Sequence, residues 1–506
     1  FFRATLMNAM KTPLVYLVGG GPGDPGLLTL RGAECLARAD VVLYDRLVNP
    51  ALLDLAPPEA ERIYVGKSPR QHTLSQDAIN QVLIDRAQNG QTVVRLHGGD
   101  AFVFGRGGEE AEMLAAAGIP YKIVPGITSA IAAPAFAGIP ITHRDYAASF
   151  AVVAGRRRAD AGQPLPPIPD AGTLVFLMPV SNLPAIVERL LAEGHSPDTP
   201  AALVHRGSLP QQRTVTGVLA DIVNRAKCIE APAAFIVGPV VRLQKRLAWF
   251  ERLPLFGKRI LITRPRAQTG ELSRRLAGLG AEVLLCPVIK IAPPLDTGPL
   301  ETALRQSGEY DWVVFTSVNG VKYVWERLRA LGRDARAFGR ARLAAVGPAT
   351  AAALAEIGLM VDYLPEAYTT GALAVGLPVT GGERVLLPRA EIVPETLAKG
   401  LAARGAQVTE VTAYRVLPGQ LPPEFDLVEM LAAGGVDVVT LASGSTVRAL
   451  VALLGGPEQA AALLAHSLVA CIGPVTASTA REMGLRVDIT ADVHTVAGLV
   501  DALLVF

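Results

Sequence analysis

The stretch Val93–Glu110, VVRLHGGDAFVFGRGGEE, decides how the first half of the chain folds. Val93, Val94 and Leu96 read as a short buried strand. The run breaks at Gly98 and Gly99, where the backbone can take positive φ or approach another group closely. Asp100 follows, a carboxylate just past the C-terminal end of a strand, where open α/β sheets bind ligands. Gly105, Gly107 and Gly108 then lead into a helix. Its first turn carries Glu109, Glu110 and Glu112, the sign that suits the helix dipole. An ordinary strand–loop–helix turn accounts for each feature alone. A strand, Gly-Gly-Asp, the Phe102 and Phe104 pair and a second glycine cluster, in that order, favour a ligand site.

Upstream, the apolar strand Leu14–Val18 runs into GGGPGDPG (19–26) and a helix starting at Thr29. Pro22 and Pro25 stiffen this loop and remove backbone donors, which argues against a dinucleotide-type phosphate cradle. Val41–Tyr44 is the next strand, with Asp45-Arg46 at its end. Ile63–Val65 follows, with Gly66-Lys67 at its end. On spacing alone, Asp45 and Lys67 read equally well as solvated loop charges. Ser75–Gly90 reads as a helix. Downstream, Val124 leads into PGITS (125–129), so several strand ends present glycines, hydroxyls and carboxylates to one crevice. A second unit begins near Ser149. Strands at Phe150–Val153, Thr173–Met178, Ala201–Val204 and Ala234–Val237 alternate with helices, and Pro164–Pro169 is a surface connection. His205-Arg206-Gly207-Ser208 again places a glycine where a ligand can approach. Met178, taken alone, reads as core packing.

The 506 residues are too many for one core, so two to four domains are expected. Half the chain is apolar, and a net charge of +2 without long charged runs speaks against nucleic-acid or membrane partners. Arg156–Arg158 is the densest basic cluster, either a solvated loop or an anion contact. Cys35, Cys228, Cys286 and Cys471 lie far apart with no CxxC and no Cys/His cluster. Neither a metal site nor a disulfide framework is indicated, which fits a reducing cytoplasm. Residues 1–11 lack the apolar core of a secretory leader. Gly126–Thr142 is interrupted by Pro134, Gly138 and Pro140 and does not read as a membrane span.

The second half contains an internal repeat. DWVVFTS (311–317) resembles DVVTLAS (437–443), and the same offset of 126 residues carries Gly347-Pro348 onto Gly473-Pro474 and Val361-Asp362 onto Val487-Asp488. Upstream, Arg264 falls on Arg389 at an offset of 125. Two similar α/β lobes follow, with hydroxyls at their strand ends (Thr316, Ser317, Ser443, Ser445, Thr350, Thr476). Arg264, Arg389, Arg415 and Arg448 are available as anion contacts. LAWFERLPLFG (247–257) joins the halves and, being partly apolar, is expected to pack.

Residues 12–245 resemble uroporphyrinogen-III C-methyltransferase of the tetrapyrrole methylases. The resemblance rests on VGGGPGDPGLLTL (18–30), YDRLV (44–48), VGK (65–67), RLHGGDAFVFGRGGEE (95–110), VPGITSA (124–130), GIPITHRD (138–145) and PAAFIVGPVV (232–241). It implies a two-lobed methylase fold (lobes about 12–140 and 147–245) that takes S-adenosyl-methionine and releases S-adenosyl-homocysteine, without a metal. It also implies that Pro22, Gly98, Gly99, Asp100, Val103, Thr128, Ser129, Met178 and Gly207 line the methyl-donor site. Asp45 would be the proton acceptor and Lys67 the proton donor. The substrate's carboxylates make cations such as Arg46 and Arg144 expected partners. Ala101 stands where the family usually has proline, and Arg156 where it often has histidine. The family also suggests a homodimer through this half.

Residues 257–506 resemble uroporphyrinogen-III synthase through TSVNGV (316–321), AVGPAT (345–350), LLPRAE (386–391), VTAYRV (411–416), LASGSTV (441–447) and CIGPVTAS (471–478). This implies a two-lobed α/β fold, with one lobe of residues 257–293 and 418–506 and the other of 294–417. It implies that Tyr414 assists loss of a hydroxyl, while Thr316, Ser317, Ser443 and Thr476 hold substrate. With 1–11 as a tail and 246–256 as a linker, the expected protein is a bifunctional cytoplasmic enzyme of siroheme and cobalamin precursor synthesis. It would cyclise hydroxymethylbilane to uroporphyrinogen III and methylate that at C2 and C7 to precorrin-2. The alternatives are a methylase of a later corrin intermediate and, for the second half, a two-lobed ligand-binding or sensor module.

Overall fold

A computed structural model describes residues 14–66, 75–155, 166–265, 269–419, 421 and 425–506. The chain divides into two compact units: residues up to 258 with 276–282, and residues 259–275 with 283–506. Among the described residues, no helix is long and apolar enough to cross a membrane.

The first unit holds two five-stranded sheets. One is built from β1 (Leu14–Gly19), β2 (Val41–Tyr44), β3 (Glu61–Tyr64), β4 (Thr92–His97) and β5 (Tyr121–Val124), in the order β3-β2-β4-β1-β5. Every pairing in it is parallel. The chain leaves β1 towards β2 and leaves β4 towards β5, so the helices after these two neighbours pack on opposite faces. Cys35 and Leu36 of Leu30–Leu36 join one core cluster, and Ala111 and Leu114 of Gly107–Ala116 join the other. The β1/β4 junction is therefore the switch point, where a parallel sheet opens a crevice beyond its carboxyl ends. Local signals behave as expected here. Thr29 caps Leu30–Leu36 through Gly32 N, and Ser75 caps Gln76–Gln88 through Ala78 N.

The other sheet of this unit contains β6 (Phe150–Ala154), β7 (Thr173–Leu177), β8 (Pro200–His205), β9 (Arg213–Val218) and β10 (Ala233–Val237), ordered β6-β7-β10-β8-β9. It differs from strands alternating with helices in two ways. Only β6 and β7 run parallel, and β9 follows β8 antiparallel after a short loop. RTVTGV (213–218) is a half-exposed edge strand whose glycine weakens its sequence signal. The segment joining the two halves packs, as its apolar content requires. Trp249 Nε1 donates to Ala135 O at 3.1 Å, and Phe250 is buried against Phe136.

The second unit contains β11 (Arg259–Ile262), β12 (Glu282–Leu285), β13 (Ile289–Ala292), β14 (Trp312–Phe315), β15 (Arg342–Ala345), β16 (Arg384–Ala390), β17 (Gln407–Pro418), β18 (Val438–Leu441), β19 (Leu468–Cys471) and β20 (Ile489–Thr490). They form two sheets, β12-β11-β18-β19-β20 and β13-β17-β16-β14-β15. The repeat is visible strand by strand: β11, β18 and β19 occupy in one sheet the places of β16, β14 and β15 in the other. The place of β20, paired with β19 through Ala470–Ile489, is taken by a single parallel Ala344–Tyr363 pairing. β13, expected in the first lobe with residues 257–293, pairs antiparallel with the end of β17 in the second sheet, while Ile289 packs into the core around Leu261 and Leu441 of the first. Two adjacent extended segments, 289–292 and 415–418, satisfy each other's backbone groups better than either does alone.

The repeated aspartates have a structural job. Asp311 Oδ2 accepts from Arg384 N and Asp437 Oδ2 from Arg259 N, each at 2.8 Å. Asp362 Oδ2 accepts from Leu343 N at 2.7 Å and Asp488 Oδ2 from Val469 N at 2.8 Å. Each carboxylate satisfies an N–H at the start of a strand, the donor the ladder leaves unpaired. Asp40 does the same for Thr92 N at 2.7 Å in the first unit. Replacing Asp488 by Ala should cost about 1–2 kcal/mol of unfolding free energy in urea titrations, and Asp488→Asn less, because the amide oxygen still accepts. An Asp488→Ala protein as stable as the parent would show that this cap is dispensable.

Candidate functional site

The loops that follow β1, β4 and β5 meet backbone to backbone. Gly20 N donates to His97 O at 2.7 Å, while Gly21 and Gly99 exchange two bonds, at 3.1 and 2.7 Å. A Cβ on Gly126 would stand 2.3 Å from Gly99 O, and one on Gly19 would stand 2.6 Å from Gly126 Cα. No side chain fits between these tips. Gly99 has φ +69°, a left-handed conformation that glycine takes without strain. Asp100 fastens the arrangement: its Oδ2 accepts from Gly126 N at 2.8 Å and its Oδ1 from Phe102 N at 2.8 Å. Its carboxylate thus shapes the loop instead of projecting from it. The small residue after it is equally constrained. Ala101 is fully buried, and a Cβ on Gly107 would lie 2.9 Å from the Ala101 Cβ.

Around these tips lies a cavity of about 380 Å³. Pro22, Gly98, Gly99, Ser129 and Arg46 line it, as does Gly21. From the second sheet of the unit come Arg206, Leu209, Gln211 and Pro232. The proline-bearing loop is held in place from both sides. Asn49 Nδ2 donates to Gly23 O at 2.7 Å, and Asp24 N donates to Ser208 Oγ at 3.2 Å. Arg206 and Ser208 both take positive φ, at 45° and 76°, so the β8 loop turns sharply under the cavity. Gly207 between them is buried, because a Cβ there would stand 2.6 Å from Ala133 Cβ.

The remaining expected residues of this half are placed variously. Thr128 caps Ser129–Phe136, accepting from Ala130 N at 3.3 Å, and Val103 sits half-buried in the Asp100 loop. Met178 is not core. It follows β7 with φ +58° and is 48% exposed, because the strand ends one residue earlier and its side chain leaves the sheet. Arg144 is an exposed turn residue and is not among the cavity walls. Lys67 and Arg156–Arg158 lie outside the described residues.

Beneath Asp45 runs a buried polar cluster that periodicity reading missed. Glu110, read as a dipole partner at a helix start, is 1% exposed. Its Oε1 accepts from Arg95 Nε at 3.0 Å and Gln76 Nε2 at 3.1 Å, and its Oε2 is 2.9 Å from His97 Nε2. Arg95 Nη2 continues to Asp45 Oδ2 at 3.6 Å. Burial alone pushes the Glu110 carboxyl up, but the hydrogen bonds and charges of His97 and Arg95 outweigh it and hold the group below its ordinary 4.5. A signal existed: Arg95 and His97 are polar residues two apart in an apolar strand, hence on one face.

In the second unit the structure joins two expected residues directly. Ser317 Oγ and Tyr414 Oη are 2.9 Å apart. Tyr414 is 7% exposed and its ring stacks on Tyr323, centroids 6.0 Å apart at 21°. Burial raises the Tyr414 phenol, while the Ser317 bond and the Arg389 charge pull it part of the way back. Thr316 follows β14, half-buried beside Ser317. Ser443 and Thr476 belong to the other sheet's helices. Ser443 caps Gly444–Leu453 in a reciprocal box with Thr446, and Thr476 is buried in the first turn of Pro474–Glu482. Their parent strands β18 and β19 are neighbours, so both helix N-termini stand at one rim. Arg389 is not a free anion contact. It is 3% exposed, with Nη1 on Glu410 Oε2 and Nη2 on Pro394 O, each at 3.1 Å.

Comparison with known proteins matches residues 14–223 to Tetrapyrrole (Corrin/Porphyrin) Methylases and residues 270–501 to Uroporphyrinogen-III synthase HemD. The porphyrin biosynthesis protein HemD of Ruminiclostridium josui is 37% identical over 505 residues, 98% of each chain. The uroporphyrinogen-III C-methyltransferase of Bacillus subtilis is 40% identical over 362 residues, 70% of this chain and 74% of that protein. A solved uroporphyrin-III-C-methyltransferase of Thermus thermophilus is 44% identical, with 47% of this chain and 97% of that one aligned and a TM-score of 0.41.

Glu110→Gln leaves Arg95 and His97 facing a neutral amide and should cost about 3–5 kcal/mol of stability near neutrality. Because the folded carboxyl is held below 4.5, its ionised form contributes fully above that pH, and the contribution fades as pH falls through the lower folded value. The gap between parent and variant, followed by denaturation at several pH values, should therefore stay constant above about pH 5 and narrow in acid. A gap that widened in acid would contradict the assignment.

Proposed function

The chain belongs to the tetrapyrrole-biosynthesis family that joins a tetrapyrrole methylase to a uroporphyrinogen-III synthase, and from this we propose that it both closes hydroxymethylbilane to uroporphyrinogen III and methylates that product to precorrin-2. We assign methylation to residues 12–245 and cyclisation to residues 257–506. The observation that carries the methylase reading is the cavity at the β1/β4 switch point. Bare backbone lines it at Gly21, Gly98 and Gly99, and Arg206 and Leu209 line it from the second sheet's loops. A flat nucleoside fits against peptide planes that no Cβ shields, and Ser129 and the loop backbones offer it polar contacts.

S-adenosyl-methionine, when bound, supplies a sulfonium methyl to a pyrrole carbon and is left as S-adenosyl-homocysteine. The protein's share is alignment and proton management. Gly99, Thr128 and Ser129 form the rim against which donor and acceptor are lined up. Asp45, with Arg95 beneath it, accepts the proton that the methylated ring releases. Arg46 at the cavity wall meets substrate carboxylates. In the second unit Tyr414 donates a proton to the departing hydroxyl, and the helix N-termini at Ser443 and Gly473 hold carboxylate side chains of the bilane. The free thiols Cys35, Cys228, Cys286 and Cys471 are in keeping with a reducing cytoplasm.

Incubating the chain with hydroxymethylbilane and methyl-labelled donor tests both activities together. Label should appear in a dimethylated product. Unlabelled uroporphyrinogen I as sole product would refute both assignments. Asp45→Asn should lower the methylation kcat by about 10²–10⁴, with calorimetric binding of S-adenosyl-homocysteine and the cyclisation rate retained. Full methylation by that variant would remove Asp45 from the chemistry.

A further inference from the structure

Tyr414 does not stand alone, and its partner has a defined polarity. Ser317 is the N-cap of Val318–Ala330, and its Oγ accepts from Gly320 N at 3.0 Å. That bond draws electron density from the hydroxyl at the positive end of a helix of 13 residues, which makes the Ser317 proton the better donor. Tyr414 Oη lies 2.9 Å away, within hydrogen-bond distance of that hydroxyl. The ring of Tyr414 cannot swing away, since Tyr323 stacks on it and Tyr323 Oη is itself fixed to Ile291 O at 3.2 Å. With its oxygen already accepting, the phenol has its own proton left to give.

Resting on the synthase reading above, we infer that Ser317 is a positioning residue for cyclisation: it donates to Tyr414 Oη and so turns the phenol proton towards the departing hydroxyl of the substrate. The reverse polarity would present an aliphatic hydroxyl to the leaving group. That is a much weaker acid than a phenol, whose ordinary pKa is about 10. The step balances as follows. A pyrrole nitrogen lone pair pushes out the hydroxyl, the carbon–oxygen bond breaks, and the oxygen leaves as water with the Tyr414 proton. The phenolate keeps the Ser317 hydrogen bond, with the Arg389 charge nearby. The substituted carbon of the terminal pyrrole bonds to the methylene so exposed, its bond to the old bridging methylene breaks, and that methylene then bonds to the free carbon of the same pyrrole, which is thereby inverted and sheds the proton that restores Tyr414. Nothing is oxidised or reduced, and one water is lost.

The assignment differs from the substrate-holding role that the family resemblance implies for Ser317. A substrate contact would act on KM, whereas a donor behind Tyr414 acts on kcat. Four variants test it: Ser317→Gly, Ser317→Thr, Tyr414→Phe and the double change Ser317→Gly with Tyr414→Phe. Glycine is accepted at N-caps with little loss of helix stability, and unfolding curves check that. Ser317→Gly should lower the cyclisation kcat about 100-fold, as loss of one oxyanion donor does, with KM within about twofold. Ser317→Thr, which keeps a hydroxyl, should return to within about tenfold of the parent. In the Tyr414→Phe background, Ser317→Gly should cost nothing more. Parental kcat in Ser317→Gly or in Tyr414→Phe, a change confined to KM, or a full further loss in the double variant would each overturn the relay and leave the synthase reading standing. A parent chain that fails to cyclise hydroxymethylbilane at all would remove both.

Discussion

At the carboxyl tips of β1, β4 and β5, three peptide backbones touch with no side chain between them. The contact exists because Gly19, Gly99 and Gly126 have no Cβ, and it sets the position of every other group at the crevice. Asp100 is consumed in holding Gly126 and Phe102. Asn49 and Ser208 hold the proline-bearing loop from either side. The cavity is open because the loops are pulled together beneath it. Its binding character follows from backbone more than from side chains, which suits a ligand recognised by shape and a few hydrogen bonds.

Charge in this unit is arranged in two layers. The inner layer is buried Arg95, His97 and Glu110 with half-buried Gln76 at its edge, and the Glu110 carboxylate gains there from partners whose removal would strand it. The outer layer, Asp45, is 28% exposed and touches the inner one through a single longer contact with Arg95. A carboxylate in that position is anchored from one side and open from the other. Had Arg95 been solvated, its attraction for Asp45 would have been screened.

The second unit shows how one design is used twice with different chain routing. The lobe containing β11, β12 and β18–β20 is assembled from the two ends of the segment, and the other from its middle. The same aspartates close the same strand N–H groups in both. The lobes diverge where function is proposed. One places Tyr414 on Ser317 at the tip of β14. In the other, the corresponding serine, Ser443, is engaged with Thr446 and Ser445 in its own cap. Both hydroxyls sit at the start of a helix, and only one has an aromatic acid against it.

The sequence by itself determined what depends on neighbours along the chain. Thr29 and Ser75 mark helix starts, GGD and PGITS mark strand ends, and DWVVFTS and DVVTLAS mark two lobes of one kind. Such signals survive because φ/ψ preference and periodicity are properties of a few consecutive residues. Only the tertiary structure decided which face of a segment meets which. Glu110 carries the charge expected of a helix start, and burial against β4 made it the centre of an ion cluster. Met178 has the composition of core and became exposed because β7 ends before it. β9, with a glycine among polar residues, has no strong pattern of its own and became a strand because β8 supplied a ladder. Ser317 and Tyr414 are 97 residues apart, and their hydrogen bond exists only because β14, β16 and β17 lie in one sheet. Pairing between distant segments is set by the packing energy of the whole lobe, and no local stretch carries that information.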